Sequence, residues 1–350
     1  MRKALLAILV IIVALGLTSC NGGNDDGSQS RAKPFIGGTK GVSLEFVSGA
    51  PPDTILDAGQ TTFSIQTRLT NEGEQDIKPG SDIGYLEVSL EGIIPQQFGL
   101  LPNDNLKREL QDNLNGGQKY PDGSVNPGMS TILSWNGLIY PSDIEGSEEK
   151  SFLINLCYDY KTRSSTKICL SDDSSSALFD DQSKDICDIT APKSTHNSGG
   201  PIHVENIRQN TAGGNKVSLM FDVVHVGSGA VYRFGQGECD PSLSNRNHKG
   251  KVDVTLSLPD TTPATISCGN SWQGDGTSEV SGEVTLLGAQ DSSENNSGRQ
   301  STTVNCIIES NAGGTVVYDE TLSIDLKYRY SQNQRKTITI KDVGSSSDSS

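Results

Sequence analysis

A chain of 350 residues, with 43 acidic against 28 basic side chains and a net charge of −15, offers no basic stripe for a polyanion and so excludes ordinary nucleic-acid binding. Only 33% of residues are hydrophobic and 5% aromatic, whereas glycine occurs 38 times. That balance excludes a helical bundle or a densely packed α/β enzyme and suits a strand-rich surface protein of two ordinary domains.

In chain order, Met1, Arg2 and Lys3 are a positive start, followed by an uncharged apolar run from Ala4 to Leu17. As a helix the run is about 21 Å long, short of the roughly 30 Å bilayer core, which is the proportion of a secretory signal. It closes on Leu17-Thr18-Ser19-Cys20. This resembles the lipobox of prokaryotic lipoproteins, and the resemblance implies cleavage after residue 19, lipidation of Cys20 and attachment to the outer face of the cell membrane. Net negative charge disfavours anionic headgroups, so acyl chains must supply the anchoring. Residues 20–34 then read as a lipidated cysteine and a flexible tether with too few apolar groups to fold.

From Phe35 the chain alternates apolar and polar residues in short segments punctuated by Gly, Asn, Asp and Pro, which predicts all-β antiparallel sandwiches. Val42, Leu44 and Phe46 share one face, as do Phe63, Ile65 and Leu69, and Leu86, Val88 and Leu90. The second half repeats the rhythm at Val217, Leu219 and Phe221, at Val252, Val254 and Leu256, and at Leu322, Ile324 and Leu326. Ile154-Asn155-Leu156-Cys157-Tyr158-Asp159-Tyr160 matches Ile324-Asp325-Leu326-Lys327-Tyr328-Arg329-Tyr330 at an offset of 170 residues, and Leu69 to Gly73 matches Val223 to Gly227 more loosely. A tandem duplication follows, with each copy expected to close in a hairpin whose second strand is Thr166–Leu170 or Thr337–Ile340. The domains are then 35–178 and 201–343, with a linker at 179–200 and a disordered tail at 344–350. Within the first, the loop 96–126 carries a predicted short helix over 105–110.

Strand, polar turn and Asn71-x-Gly73 before another strand resemble the immunoglobulin-like modules, including the CARDB type, found in tandem on prokaryotic cell surfaces. The whole is similar to archaeal secreted proteins with two such modules. That resemblance implies fold and location, with adhesion as the family's usual role, and names no ligand.

Setting Cys20 aside leaves six cysteines, an even number in an exported chain, hence three disulfides. Strand parity suggests Cys157–Cys169 and Cys268–Cys306, leaving Cys187–Cys239, with Cys169–Cys187 as the main rival. Candidate chemistry is sparse. His196, His203, His225 and His248 lack metal-ligand spacing, and Gly227-Ser228-Gly229 falls in a turn and is no nucleophile elbow. The acids Asp172, Asp173, Asp180, Asp181, Asp185 and Asp188 can collect Ca²⁺ but read better as a solvated linker. Tyr158, Tyr160, Tyr328 and Tyr330 read as core, and Asn295 heads a glycosylation sequon. No catalytic residue, metal or cofactor is expected. The resulting expectation is a non-enzymatic, lipid-anchored extracellular protein that binds a protein or glycan or builds the envelope. The alternatives are an enzyme or enzyme inhibitor using the loop 96–126, and a fibre subunit that donates a strand such as Thr337–Ile340 to its neighbour.

Overall fold

The computed structural model describes residues 33–101, 106–171, 187–236, 239, 247–269, 271–288, 299–313 and 317–344. Cys20, Asn295, Asp172, Asp173, Asp180, Asp181 and Asp185, with the signal, most of the tether and nearly all of the tail, lie outside them. No helix among the described residues is long and apolar enough to cross a membrane.

In the first half the strands are β1 Val42–Phe46, β2 Thr54–Leu56, β3 Phe63–Asn71, β4 Leu86–Glu91, β5 Lys107–Glu109, β6 Gln118–Lys119, β7 Val125–Asn126, β8 Ser130–Leu138 and β9 Ser147–Ser171. The second half holds β10 Thr195–Asn197, β11 Ile202–Gly213, β12 Lys216–His225, β13 Ala230–Tyr232, β14 Lys251–Ser257, β15 Ala264–Ser267, β16 Glu279–Thr285, β17 Ser301–Ser310 and β18 Val317–Lys341. The fold is an all-β sandwich. Sheet β1-β3-β8 lies in one half and β11-β12-β17-β15 in the other, and both halves contribute to a nine-stranded sheet whose main path is β16-β14-β18-β9-β4-β5, with β10 added on β9 and with β2 and β13 added on β18. Residues Pro34–Ser350 form one compact unit with a large core running from Val42 to Ile340 and a small separate cluster of Cys157, Tyr232 and Cys239.

The joint between the halves is the antiparallel pair β9–β18, 25 residues on each side and in register from end to end, from Ser147↔Lys341 to Ser171↔Val317. At about 3.3 Å per residue the pair runs for about 80 Å. Asp159 faces Arg329, and these two are also equivalent in the duplicated motif, so a local two-fold axis passes between them. Strand order on either side obeys that axis. Val88 pairs with Leu156 as Val254 pairs with Leu326, and Leu326 lies 170 residues after Leu156.

The expected hairpins are therefore absent. Lys161–Ser165 and Ser331–Lys336 are strand interior, although their polarity reads as a turn. In the first case the inward hydroxyls find partners: Thr162 bonds the Tyr328 hydroxyl at 2.7 Å and Thr166 donates to Ser194 O at 2.9 Å. Thr337–Ile340, expected as a strand to donate, is paired with β9 along one edge, and its Thr339 and Ile340 with β2 along the other. The short helix expected over 105–110 is also corrected. Lys107–Glu109 pairs with Ser89–Glu87 as β5, and period two puts Leu106, Arg108 and Leu110 on one side, against Trp135, whose Nε1 donates to Leu106 O at 3.1 Å. Within the linker region, Thr195–Asn197 is itself a strand on β9.

The disulfides are Cys157–Cys239, Cys169–Cys187 and Cys268–Cys306. Cys157 cannot reach Cys169, because both lie on the same uninterrupted strand about 40 Å apart. The Cys187–Cys239 pairing falls with it: Cys187 closes onto Cys169, and Cys239 onto Cys157.

Candidate functional site

Around the two-fold axis the core face carries Tyr158, Tyr160, Tyr328 and Tyr330, all at most 3% exposed. Tyr160 donates to Asn71 Oδ1 at 3.2 Å, and the equivalent Tyr330 hydroxyl meets His225 Nε2 at the same distance. The backbone N–H of Gln75 donates to the Tyr160 hydroxyl, as that of Gly229 does to Tyr330. Burial is the main force raising all four phenol pKa values, Tyr330 to about 12. They are structural. The opposite face of the axis holds the Asp159–Arg329 pair, bidentate at 2.8 and 3.0 Å, with the guanidinium 4.0 Å from the Tyr85 ring centroid. Cys157–Cys239 tethers the covering segment beside it.

Beside the axis, on the outer face of the shared sheet, a polar groove of about 400 Å³ opens between the strip 74–76, the hairpin β6–β7 and the middle of β9. Its walls include Glu74, Asp76, Lys119, Tyr120, Lys161 and Arg163. Asn71 sets the strip in place: its amide donates to Gln75 O and Leu114 O, at 2.8 and 3.0 Å, turning the chain out of β3. Glu74 is committed to three backbone N–H groups, of Ile36, Gly37 and Gly199. Asp76 accepts from Gly116 N at 2.8 Å and pairs with Lys78 at 2.8 Å; burial raises its pKa, but these two contacts outweigh it and hold the carboxyl below its ordinary value. Lys119 Nζ donates to Phe35 O, and Lys161 pairs with Asp325 at 3.2 Å. Arg163 is 60% exposed, and its Nε lies 4.0 Å from Asp325. Tyr120 is 47% exposed. The groove thus presents hydrogen-bond donors and an open ring to a ligand, beside acids already engaged by the fold, an arrangement for holding a molecule.

The loop 96–126 does reach this groove, through Gly117–Tyr120. The other candidates stay apart. His203 sits on Gly38 O, His225 on Tyr330, and burial lowers the pKa of both. His196 lies in β10, and His248 buries an Nδ1 without a protein partner. Asp188 accepts from Thr190 and from Ala191 N within its own turn, and these bonds, the Thr190 hydroxyl first, lower its pKa. Sequence reading missed a carboxylate trio, Asp57, Asp143 and Asp342, whose oxygens lie within 4.8 Å of one another. These can hold a hard cation. Asp57, fully buried, already accepts from Ile144 N and Val343 N at 2.9 Å, which ties the 140s loop to the end of β18. Glu74, Gln75 and Asp76 were also missed, and their only sequence signal is their place just after Asn71-x-Gly73. Lys161 and Arg163 were hidden in the supposed turn.

No protein-family profile matches the chain, and no curated protein matches it in sequence. Among solved structures, a serine-rich repeat protein, Srr2, from Streptococcus agalactiae aligns over 88% of this chain and 95% of its own, with 9% identity and a TM-score of 0.15. A likeness of that size carries no argument about fold or function.

Proposed function

We propose that the chain is a non-enzymatic, lipid-anchored extracellular protein that holds a protein or glycan partner in the groove beside Arg163 and Tyr120. The observation that carries this reading is the groove itself, where Glu74 is spent on the backbone and Asp76 on Lys78 and Gly116, while Arg163 and Tyr120 face solvent. Three disulfides in an all-β body suit an oxidising compartment, and the lipobox resemblance at Leu17–Cys20 supplies the anchor. The test is a cross-linked pull-down from intact cells displaying the chain. Cys20→Ser should move it from the membrane to the soluble fraction, and Arg163→Ala with Tyr120→Ala should lower partner recovery at least tenfold. Unchanged recovery refutes the groove, and unchanged fractionation refutes the anchor.

One observation favours a second reading, an enzyme inhibitor. The tip of the β6–β7 hairpin, Tyr120–Ser124, is exposed yet fixed, with Tyr120 N bonded to Ser124 O and Gly123 N to Tyr120 O, each at 2.9 Å, and Asp122 accepting from Ser124. A rigid projecting turn of this kind binds with little ordering cost. Inhibition of a target enzyme that survives Arg163→Ala but not Tyr120→Ala would select it.

A further inference from the structure

A second polar cavity, of about 480 Å³, lies on the outer face of the other half, lined among others by Phe234, Asp253, Gln273, Glu283 and Lys327. Strand register makes the two cavities neighbours. Glu283 faces Asp253, Asp253 faces Lys327, and Lys327 faces Lys161, so one row of side chains crosses β16, β14, β18 and β9 from the second cavity to the first. The row spans about 14 Å at roughly 4.8 Å per strand. A parallel row runs through Ser281, Thr255, Asp325 and Arg163. Lys327, in the first row, pairs with Asp82 at 2.7 Å. Aromatic rings sit at both ends, Phe35 and Tyr120 in one cavity and Phe234 in the other, the last 5.4 Å from Lys327 Nζ.

We infer that the two cavities are subsites of one cleft, crossing the shared sheet, that takes an extended oligosaccharide. This rests on the binding reading above and names its ligand class. The floor is the middle of a sheet, where β14 and β18 are hydrogen-bonded on both sides, and the Arg163 backbone is closed by Ser198, so an extended peptide finds no main-chain ladder to join. Recognition falls to side chains alone. The charge changes sign once along the row, two acids followed by two ammoniums, so a uniformly charged polymer of either sign is repelled at one end. A hydroxyl group donates to a carboxylate and accepts from an ammonium at once, so a polyol suits both. Gln75 and Gln273 add amide donors and acceptors, and the rings offer flat apolar faces to the C–H side of a sugar. Glu283 is held by Arg233 Nη2 at 2.7 Å and Lys251 at 3.2 Å, so the facing carboxylates Asp253 and Glu283 do not form a free acid–nucleophile pair.

The test uses the full chain in detergent on a printed array carrying disaccharides, longer neutral and uronate-containing oligosaccharides, and extended peptides, followed by calorimetry with the longest sugar retained and its disaccharide unit. Arg163 and Gln273 are exposed, one in each cavity, and either can be truncated without opening the core. The expected result is retention of long oligosaccharides, a tenfold or greater loss of affinity for them with Arg163→Ala and with Gln273→Ala, and a disaccharide affinity sensitive to only one of the two. A blank sugar array, retention of peptides in place of sugars, or a long sugar indifferent to either substitution overturns the inference. If the chain still recovers a partner from intact cells while no sugar is retained, the ligand class fails and the binding reading stands.

Discussion

Gly227 has no room for a side chain, because a Cβ there would lie 2.3 Å from the Tyr330 hydroxyl, just as one at Gly73 would lie 2.0 Å from that of Tyr160. The loose match between 69–73 and 223–227 is thereby explained at the level of atoms: each copy needs a glycine beside its tyrosine and a polar group, Asn71 or His225, on the hydroxyl. Gly227→Ala should cost about 1–3 kcal/mol of overpacking, measured by urea unfolding, and should cost less in a Tyr330→Phe background. An equal penalty in both backgrounds would show that the hydroxyl is not the obstacle. Asp57 gives a pH prediction. Ile144 N–H is the largest cause lowering its pKa, joined by Val343 N–H and Asp143 against the opposing effect of burial. A folded pKa below the unfolded one means that the unfolded chain binds more protons between the two. The stabilisation is complete above the ordinary carboxylate value of about 4 and is lost as pH falls through the depressed one. Asp57→Asn should lower the urea midpoint at neutral pH and flatten its fall as the pH drops below the ordinary carboxylate value of about 4. An unchanged acid limb would remove Asp57 from the account.

Strands were legible wherever inward positions are apolar, as in Phe63–Leu69 or Val252–Leu256, because period two survives intact. They were illegible where inward positions carry hydroxyls. Thr162, Ser164 and Thr166 break the apolar rhythm of β9, and only partners far along the chain, Tyr328, His196 and Ser194, show that burial suits them. One error about Lys161–Ser165 therefore spread: a turn there brought Cys157 near Cys169, whereas a straight strand separates them. The same error hid Lys161 and Arg163, while the rest of the groove was invisible because the backbone groups that Glu74 and Asp76 hold lie from 37 to 125 positions away. Peptide mapping without reduction should find Cys157 joined to Cys239, Cys169 to Cys187 and Cys268 to Cys306. Replacing Cys157 and Cys239 together by alanine opens a link of sequence separation 82 and should cost about 2–5 kcal/mol. A peptide joining Cys157 to Cys169 would contradict the unbroken strand.

At the scale of the molecule, duplication was readable as a repeat, but the way the copies meet was not, since an offset of 170 says nothing about which edges pair. The core is continuous through β9 and β18, and the nine-stranded sheet is built from strands of both halves. Calorimetry of the intact chain should show one cooperative transition with equal calorimetric and van't Hoff enthalpies, and Leu86→Ala in the first half should shift it as a whole. Two separable peaks, only one of them moved by that substitution, would mean that the halves unfold independently.

The ion pair on the local axis has a consequence for ancestry. Were two identical chains to associate through this strand, the position on their symmetry axis would meet itself, presenting either a pair of carboxylates or a pair of guanidiniums. Here both copies belong to one polypeptide and differ at that position, one holding Asp159 and the other Arg329. Covalent fusion thus permits an attraction that perfect symmetry forbids.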